Sequence, residues 1–264
     1  MDIDVLGALA VRENGVSITP TAPKPRQVLA LLALNADRVV PVTDLIEELW
    51  GDSPPRSART TLQTYVLQLR ECIGRALDVD GQGDAKDVLM TLPGGYLLVS
   101  GADSDVRRFE RLVGEGYRAM DAESFTEAAG RLGEALALWS GTALADVQHG
   151  PLLRTEVRRL EESRLCALDQ RIEADLHLGR HRELLAELTV LTSRHPAHEN
   201  LHAQFMVALA RSGRRGEALQ AYARLRTTLL RDQGLEPSPR LQRLQHSVQA
   251  AAAELPGVSL LAAG

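Results

Sequence analysis

Between residues 54 and 77 the chain reads PPRSARTTLQTYVLQLRECIGRAL, and one face of that stretch carries side chains suited to base edges. At roughly 100° per residue, Leu62, Tyr65, Val66, Leu69, Ile73 and Leu77 make an apolar stripe. Thr60, Gln63, Thr64, Leu67, Gln68, Glu71 and Arg75 fall opposite it, with Arg59 and Arg70 on the shoulder. Outer faces of ordinary surface helices are rich in Glu and Lys, whereas this one is rich in Thr, Gln and Arg. Gln pairs bidentately with adenine, Thr donates or accepts, and Arg grips guanine or phosphate. Leu67 is placed to meet a thymine methyl. A solvated face with no partner is the plain alternative, and the helix by itself does not decide between the two.

Other candidate chemistry is weaker. Asp78-Val-Asp80-Gly-Gln82-Gly83 begins like a calcium loop, with Gly at its sixth position. Leu89 stands where the bidentate Glu is required. His177 and His181 are four apart, but Gly179 between them marks a turn; His195 and His198 straddle Pro196. Neither pair has the Glu of a helical zinc motif, and Cys72 and Cys166 lack zinc-ligand spacing. Neither a phosphate-binding GxxxxGK[ST] loop nor a GxSxG nucleophile turn occurs. The expectation is no catalytic residue, no metal, no cofactor and no enzyme.

The elements around the 54–77 helix narrow its meaning. Pro54 and Pro55 stop the preceding element, and Ser57 offers a cap for the new helix. Pro25 to Asp37 reads as a first helix, with Pro25 near its N1 position. Val39 to Val42 is a short extended link, and Thr43 or Asp44 caps a second helix that ends at Gly51. After the third helix comes a Gly- and Asp-rich loop (78–87). Extended runs at 88–92 and 96–100 follow, joined by Pro93-Gly94-Gly95, whose glycines suit a tight hairpin. Ile3 to Leu9 and Val16 to Ile18 read as short strands. Small strands, three helices and a closing hairpin predict a winged helix-turn-helix, with the third helix in the major groove and the hairpin as a wing beside the backbone.

From about Asp103 the pattern is almost purely helical, over 123–139, 151–178, 181–194, 198–212, 214–232 and 239–253. Gly179-Arg-His-Arg-Glu183-Leu-Leu and Gly213-Arg-Arg-Gly-Glu217-Ala-Leu lie 34 residues apart, the tetratricopeptide period. Ala218 and Tyr222 fit that repeat's A-x₃-F element, Leu184 and Leu188 fill it more loosely, and Ala128 with Leu132 marks a degenerate earlier copy. Stacked hairpins of this kind form a groove. The predicted fold class is therefore mainly α, with an N-terminal winged helix-turn-helix and its small β-sheets, then a C-terminal all-α tetratricopeptide-like domain. The expected boundaries are 1–100, 103–253 and a frayed tail at 254–264.

Charge sets a constraint. The net charge is −5, and residues 1–100 hold 9 Lys/Arg against 13 Asp/Glu. Phosphate neutralisation, which drives non-specific binding, must come from a local cluster: Arg56, Arg59, Arg70 and Arg75 against Glu71. No apolar run is long enough to span a membrane, MDIDVLG lacks the regions of a signal peptide, and two cysteines make no disulfide framework. A cytoplasmic location with no membrane partner is expected.

Four segments, KPRQVLALL (24–32), VPVTDLIEELWGDSPPRSARTTLQTYVLQLR (40–70), TLPGGYLL (91–98) and RDQGLEPSPRLQRL (231–244), carry a family resemblance. The first three are similar to OmpR-type DNA-binding domains. All four, in order and spacing, resemble the Streptomyces antibiotic regulatory protein (SARP) family, in which a winged helix precedes a bacterial transcriptional activation domain. The wing departs from OmpR type, having Leu92-Pro93-Gly94-Gly95 where an Arg often precedes the glycines. The candidate DNA-binding set is Lys24, Arg56, Arg59, Thr60, Gln63, Thr64, Gln68, Arg70, Arg75, Gly94 and Gly95. The loop of Trp50, Gly51, Asp52 and Ser53 is the candidate polymerase contact, since in OmpR-type domains it often faces polymerase. The resemblance implies an activator of an antibiotic or other secondary-metabolite cluster. Its partners would be double-stranded DNA with direct repeats overlapping a −35 element, RNA polymerase with its principal sigma factor, and a second copy bound in tandem. A ligand-gated regulator with a metabolite in the helical groove, a protein-interaction scaffold without DNA contact, and a repressor are the alternatives.

Overall fold

The computed structural model describes residues 1–77, 83–101 and 104–253. The calcium-like positions 78–82 and the tail 254–264 lie outside the described residues. The chain divides into two compact units. The first is Met1–Glu115 with Arg131–Ala167, and the second is Gly116–Gly130 with the chain from Leu168 onward. Compactness thus divides the chain differently from the expected boundary near residue 100.

In the first unit, β1 (Asp2–Asp4), β2 (Ala10–Glu13) and β3 (Val16–Ser17) form an antiparallel sheet in that order. The strand expected over 3–9 is shorter, and Ala10–Glu13 was not foreseen. The signal for it is Asn14-Gly15, a two-residue turn with both φ angles positive (50° and 76°), the type that matches hairpin twist. Residues 5–9 are held by a distant partner segment. Ser140 and Leu144 N–H donate to the Leu6 and Val5 carbonyls at 2.9 and 3.0 Å.

Three helices follow: α1 (Pro23–Leu34), α2 (Val42–Trp50) and α3 (Ala58–Leu77). Pro23, not Pro25, sits at N1 of α1. The cap of α2 is Pro41, not Thr43 or Asp44, because the Gly94 carbonyl receives the Val42 N–H at 2.9 Å and Thr43 bonds Asp44 instead. A one-turn α4 (Ala85–Val88), unforeseen, is capped by Asp84. Then β5 (Leu89–Leu92) and β6 (Gly95–Leu98) pair as the wing, and β4 (Val39–Pro41) adds to β6, giving the order β4-β6-β5. The core lies between α1, α3 and this sheet, and includes Leu29, Leu32, Leu62, Leu69, Ile73, Leu89 and Leu98.

Helices α5 (Asp105–Asp121), α6 (Phe125–Ala137) and α7 (Pro151–His177) each contribute one part to each unit. The second unit continues with α8 (Leu184–Arg194), α9 (Glu199–Arg211), α10 (Arg215–Gln233) and α11 (Pro239–Ala253). The 34-residue repeat is visible here: Gly179 and Gly213 occupy equivalent turns with φ of 77° and 80°, and Leu184, Leu188 and Ala218 are buried as the repeat requires. Ala128 of the degenerate copy packs with Ala119, Ala129 and Ala174. The molecule is mainly α, a winged helix-turn-helix with small sheets and a helical repeat region.

Candidate nucleic-acid interface

The candidate interface is built on α3. Leu62, Val66, Leu69, Ile73 and Leu77 are buried and Tyr65 is half-buried, so the apolar stripe lies inward. Arg59, Thr60, Gln63, Thr64, Gln68, Glu71 and Arg75 are exposed on the other face. Leu67 is 57% exposed among them, which costs hydrophobic free energy unless something covers it. Thr64 bonds back to the Thr60 carbonyl at 3.1 Å, leaving its methyl outward. Arg56, Arg59, Gln63 and Gln68 make no ion pair or side-chain hydrogen bond among the described residues and are free to reach a partner.

Three of the expected cations are engaged elsewhere. Arg70 reaches the wing: Nε and Nη2 donate to the Leu89 carbonyl at 3.0 and 2.7 Å, and Nη2 also donates to Thr91 Oγ1 at 2.8 Å. It keeps its charge near the interface, but its donors fasten α3 to β5. Arg75 folds along its own helix, donating to the Glu71 carbonyl at 3.3 Å and to Cys72 Sγ at 3.1 Å. Lys24 Nζ donates to the Leu49 carbonyl at 2.7 Å and to Gln27 Oε1 at 3.2 Å.

The wing glycines differ from each other. Gly94 is exposed, with φ of 82°. Gly95 is buried, and a Cβ there would lie 2.4 Å from the Val40 carbonyl oxygen. Its lack of a side chain therefore serves β4–β6 pairing opposite Pro41. Between α2 and α3, Asp52 and Ser53 are exposed and Trp50 and Gly51 half-buried. The Gly51 N–H closes α2 on the Glu47 carbonyl at 2.7 Å, and the Ser53 N–H follows on Trp50 at 3.3 Å.

Behind this loop lies a network that sequence reasoning missed. Glu48 is 2% exposed. Its carboxylate accepts from the Gly150 N–H at 2.6 Å, the Leu152 N–H at 2.9 Å and the Leu153 N–H at 3.0 Å. These are free donors at the start of α7, where a carboxylate is favoured. Gln27 Nε2 donates to the same carboxylate at 2.8 Å, and Gln27 in turn receives the Lys24 ammonium. The helix-turn-helix is thereby fixed to 150–153. A second carboxylate does the same at the other end: Asp105 Oδ2 accepts the Val5 and Leu6 N–H groups, each at 2.7 Å. Burial pushes the Asp105 carboxyl above its ordinary range, with the three backbone N–H bonds acting against it. Asp37 lies lower than usual. Burial alone would raise it, but bonds from the Ser100 hydroxyl and N–H and from Arg107 outweigh burial.

The histidines hold no metal arrangement. His177 stacks on Phe125 at 4.1 Å, and His198 Nδ1 caps α9 by accepting the Leu201 N–H. Among the described residues no group of three or more His, Cys, Asp and Glu is placed to hold a metal. No described helix is long and apolar enough to cross a membrane.

Residues 16–97 match the family described as transcriptional regulatory protein, C terminal, and residues 104–249 match the bacterial transcriptional activator domain. The chain is 56% identical over 249 residues to the regulatory protein DnrI of Streptomyces peucetius, covering 94% of this chain and 92% of that one. The chain belongs to the SARP family of transcriptional regulators. It is also 35% identical to the regulatory protein AfsR of Streptomyces griseus, over 95% of this chain and 25% of that one. The solved structure of Mycobacterium tuberculosis EmbR, in complex with a low-affinity phosphopeptide, superposes with a TM-score of 0.86. That match has 34% identity and covers 95% of this chain and 65% of that one. The winged helix is thus the DNA-binding part of a transcriptional regulator.

Proposed function

We propose that this SARP regulator activates a secondary-metabolite, most naturally antibiotic, gene cluster from within the cytoplasm. It does so by binding direct repeats beside a promoter's −35 element and stabilising RNA polymerase with its principal sigma factor there. Base reading falls to Thr60, Gln63, Thr64 and Gln68 on α3, and phosphate contact to Arg56 and Arg59. Polymerase contact falls to the exposed Asp52 and Ser53. The observation that supports this best is the solvent-facing Thr/Gln/Arg surface of α3, with the bare Leu67 in its midst, on a chain 56% identical to DnrI.

Beside the exposed face of α3, Arg56 and Arg59 are the free guanidinium groups among the described residues, a modest phosphate contribution, so a second copy on the adjacent repeat would raise occupancy through mutual contact. Copies on one face of the duplex lie about one helical turn, 10–10.5 bp, apart. The test is footprinting of the purified full chain on the promoters flanking its gene, with and without polymerase. Paired protection at that spacing is expected, strengthened by polymerase and lost when half a turn is inserted between repeats. Protection that ignores the spacing, or that polymerase weakens, would overturn the activator reading.

A further inference from the structure

The exposed face of α3 has an order of its own. Thr60, Thr64, Leu67 and Glu71 stand at i, i+4, i+7 and i+11, a single strip along the helix. All four are exposed, and the strip lies opposite the buried line of Leu62, Leu69 and Ile73. Gln63 and Gln68, also exposed, flank it. The strip holds no cation. The Glu71 carboxylate makes no ion pair or hydrogen bond among the described residues, since Arg75 bonds the Glu71 carbonyl instead. A bare acid with no basic neighbour on its strip is repelled by phosphate. Laid in a major groove, this strip therefore meets base edges, and the backbone falls to Arg56 and Arg59.

Leu67 carries the argument. At 57% it is the most exposed large apolar side chain of the first unit among the described residues. A single exposed leucine on an ordinary surface needs no explanation, but one in the middle of a groove-reading face does. Base edges in the major groove are rows of hydrogen-bond donors and acceptors, and a leucine laid on them expels their water and returns no bond. The apolar group those edges offer is the C5 methyl of thymine. Thr64 extends the same surface. Its hydroxyl bonds to the Thr60 carbonyl at 3.1 Å, which turns its methyl outward. Residues three apart on a helix are neighbours, so Leu67 and the Thr64 methyl make a shallow apolar seat between two glutamines.

We infer that Leu67 is a specificity-determining residue of the DNA contact and that its target is a thymine methyl. Each repeat of the operator then holds a thymine recognised by apolar contact, beside bases recognised by hydrogen bonds to Gln63 and Gln68. The inference rests on α3 being the base-contacting helix and adds to that reading one methyl group, which can be removed from the DNA without touching any hydrogen-bonding atom.

The test uses the full chain and the operator it selects from random DNA sequences. Each thymine of one repeat is replaced in turn by deoxyuridine, which lacks the methyl and keeps the pairing edge. Burial of one methyl is worth about a fourfold change in an equilibrium, so at least one replacement should weaken binding about three- to fivefold. Leu67→Ala, a change at an exposed position, should bind thymine and deoxyuridine equally there and keep the wild-type preference at the other bases. Melting curves check that the variant remains folded, and the deoxyuridine series on the wild-type chain needs no variant. An operator without thymine, one whose thymines can all be replaced without loss, or a Leu67→Ala chain that still prefers thymine at the same position would overturn this inference and leave the promoter reading standing. A chain that selects no sequence at all would overturn both.

Discussion

Replacing Glu48 by Gln should damage the protein nearly as much as replacing it by Ala. The carboxylate receives four donors, three of them backbone N–H groups at 2.6–3.0 Å from the first turn of α7. Hydrogen bonds to a charged group contribute about 1.5–3 kcal/mol each but do not sum, and each buried donor left bare costs about 1–3 kcal/mol. Glu48→Ala bares all four neutral donors at once, and because these costs do not sum, a loss of about 3 kcal/mol is expected. Glutamine has the right shape but only one acceptor oxygen. Whichever way its amide turns, the NH₂ faces an N–H donor from Gly150 or from Leu152 and Leu153, so about 2 kcal/mol or more is lost. For a unit of this size, about 2–4 °C of melting temperature accompanies each kcal/mol. Calorimetric melting should therefore place Glu48→Gln several degrees below wild type, and hydrogen exchange at Leu152 and Leu153 should accelerate selectively. A Glu48→Gln variant melting within about 1 °C of wild type would refute the reasoning, since shape alone would then account for the site.

Arg59 and Arg70 should separate cleanly. Arg59→Ala removes a free cation and should flatten the log–log salt dependence of DNA binding by about 0.9. Arg70→Ala bares the Leu89 carbonyl and Thr91, so it should cost about 1–3 kcal/mol of stability instead. Binding titrations across salt and urea melts decide, and exchanged outcomes would reverse the roles. In the helical unit, burial, followed by the charges of Arg224 and His198, lowers the His202 imidazole from 6.5 to about 4. As pH falls from 6.5 towards 4 the unfolded chain gains a proton that the folded one refuses. Stability present above 6.5 is thus lost through that window, on the order of 2 kcal/mol. His202→Leu should flatten this dependence in denaturant titrations at pH 7.5 and 4.5; an unchanged slope would show that other groups carry it.

Local periodicity made much of this legible. The α3 stripe, the wing and the repeat turns at Gly179 and Gly213 are all consequences of spacing along the chain, and each lies where spacing put it. Contacts across long separations were not legible. Nothing around Glu48 in DLIEELW distinguishes it from a solvated helix acid, because its partners are backbone N–H groups about a hundred positions away. The sequence places Lys24 and Arg70 in the candidate DNA-binding set, but a basic side chain near a recognition helix carries no local mark of the carbonyl it also meets. The Ala10–Glu13 strand is a different kind of miss, since Asn14-Gly15 announced it.

Glu48 and Asp105 also bear on how such regulators can be recombined. Cutting near residue 100 and grafting this winged helix onto a relative's helical half would part both acidic side chains from the backbone they hold. The Glu48 carboxylate must find the turn at 150–153, and the Val5 and Leu6 amides must find a carboxylate in the place of Asp105. The portion that carries its own complement of partners is 1–115 together with 131–167, which is not contiguous. Chimeras made to exchange promoter preference should therefore transplant the exposed face of α3 side chain by side chain, leaving both acids with the backbone they hold.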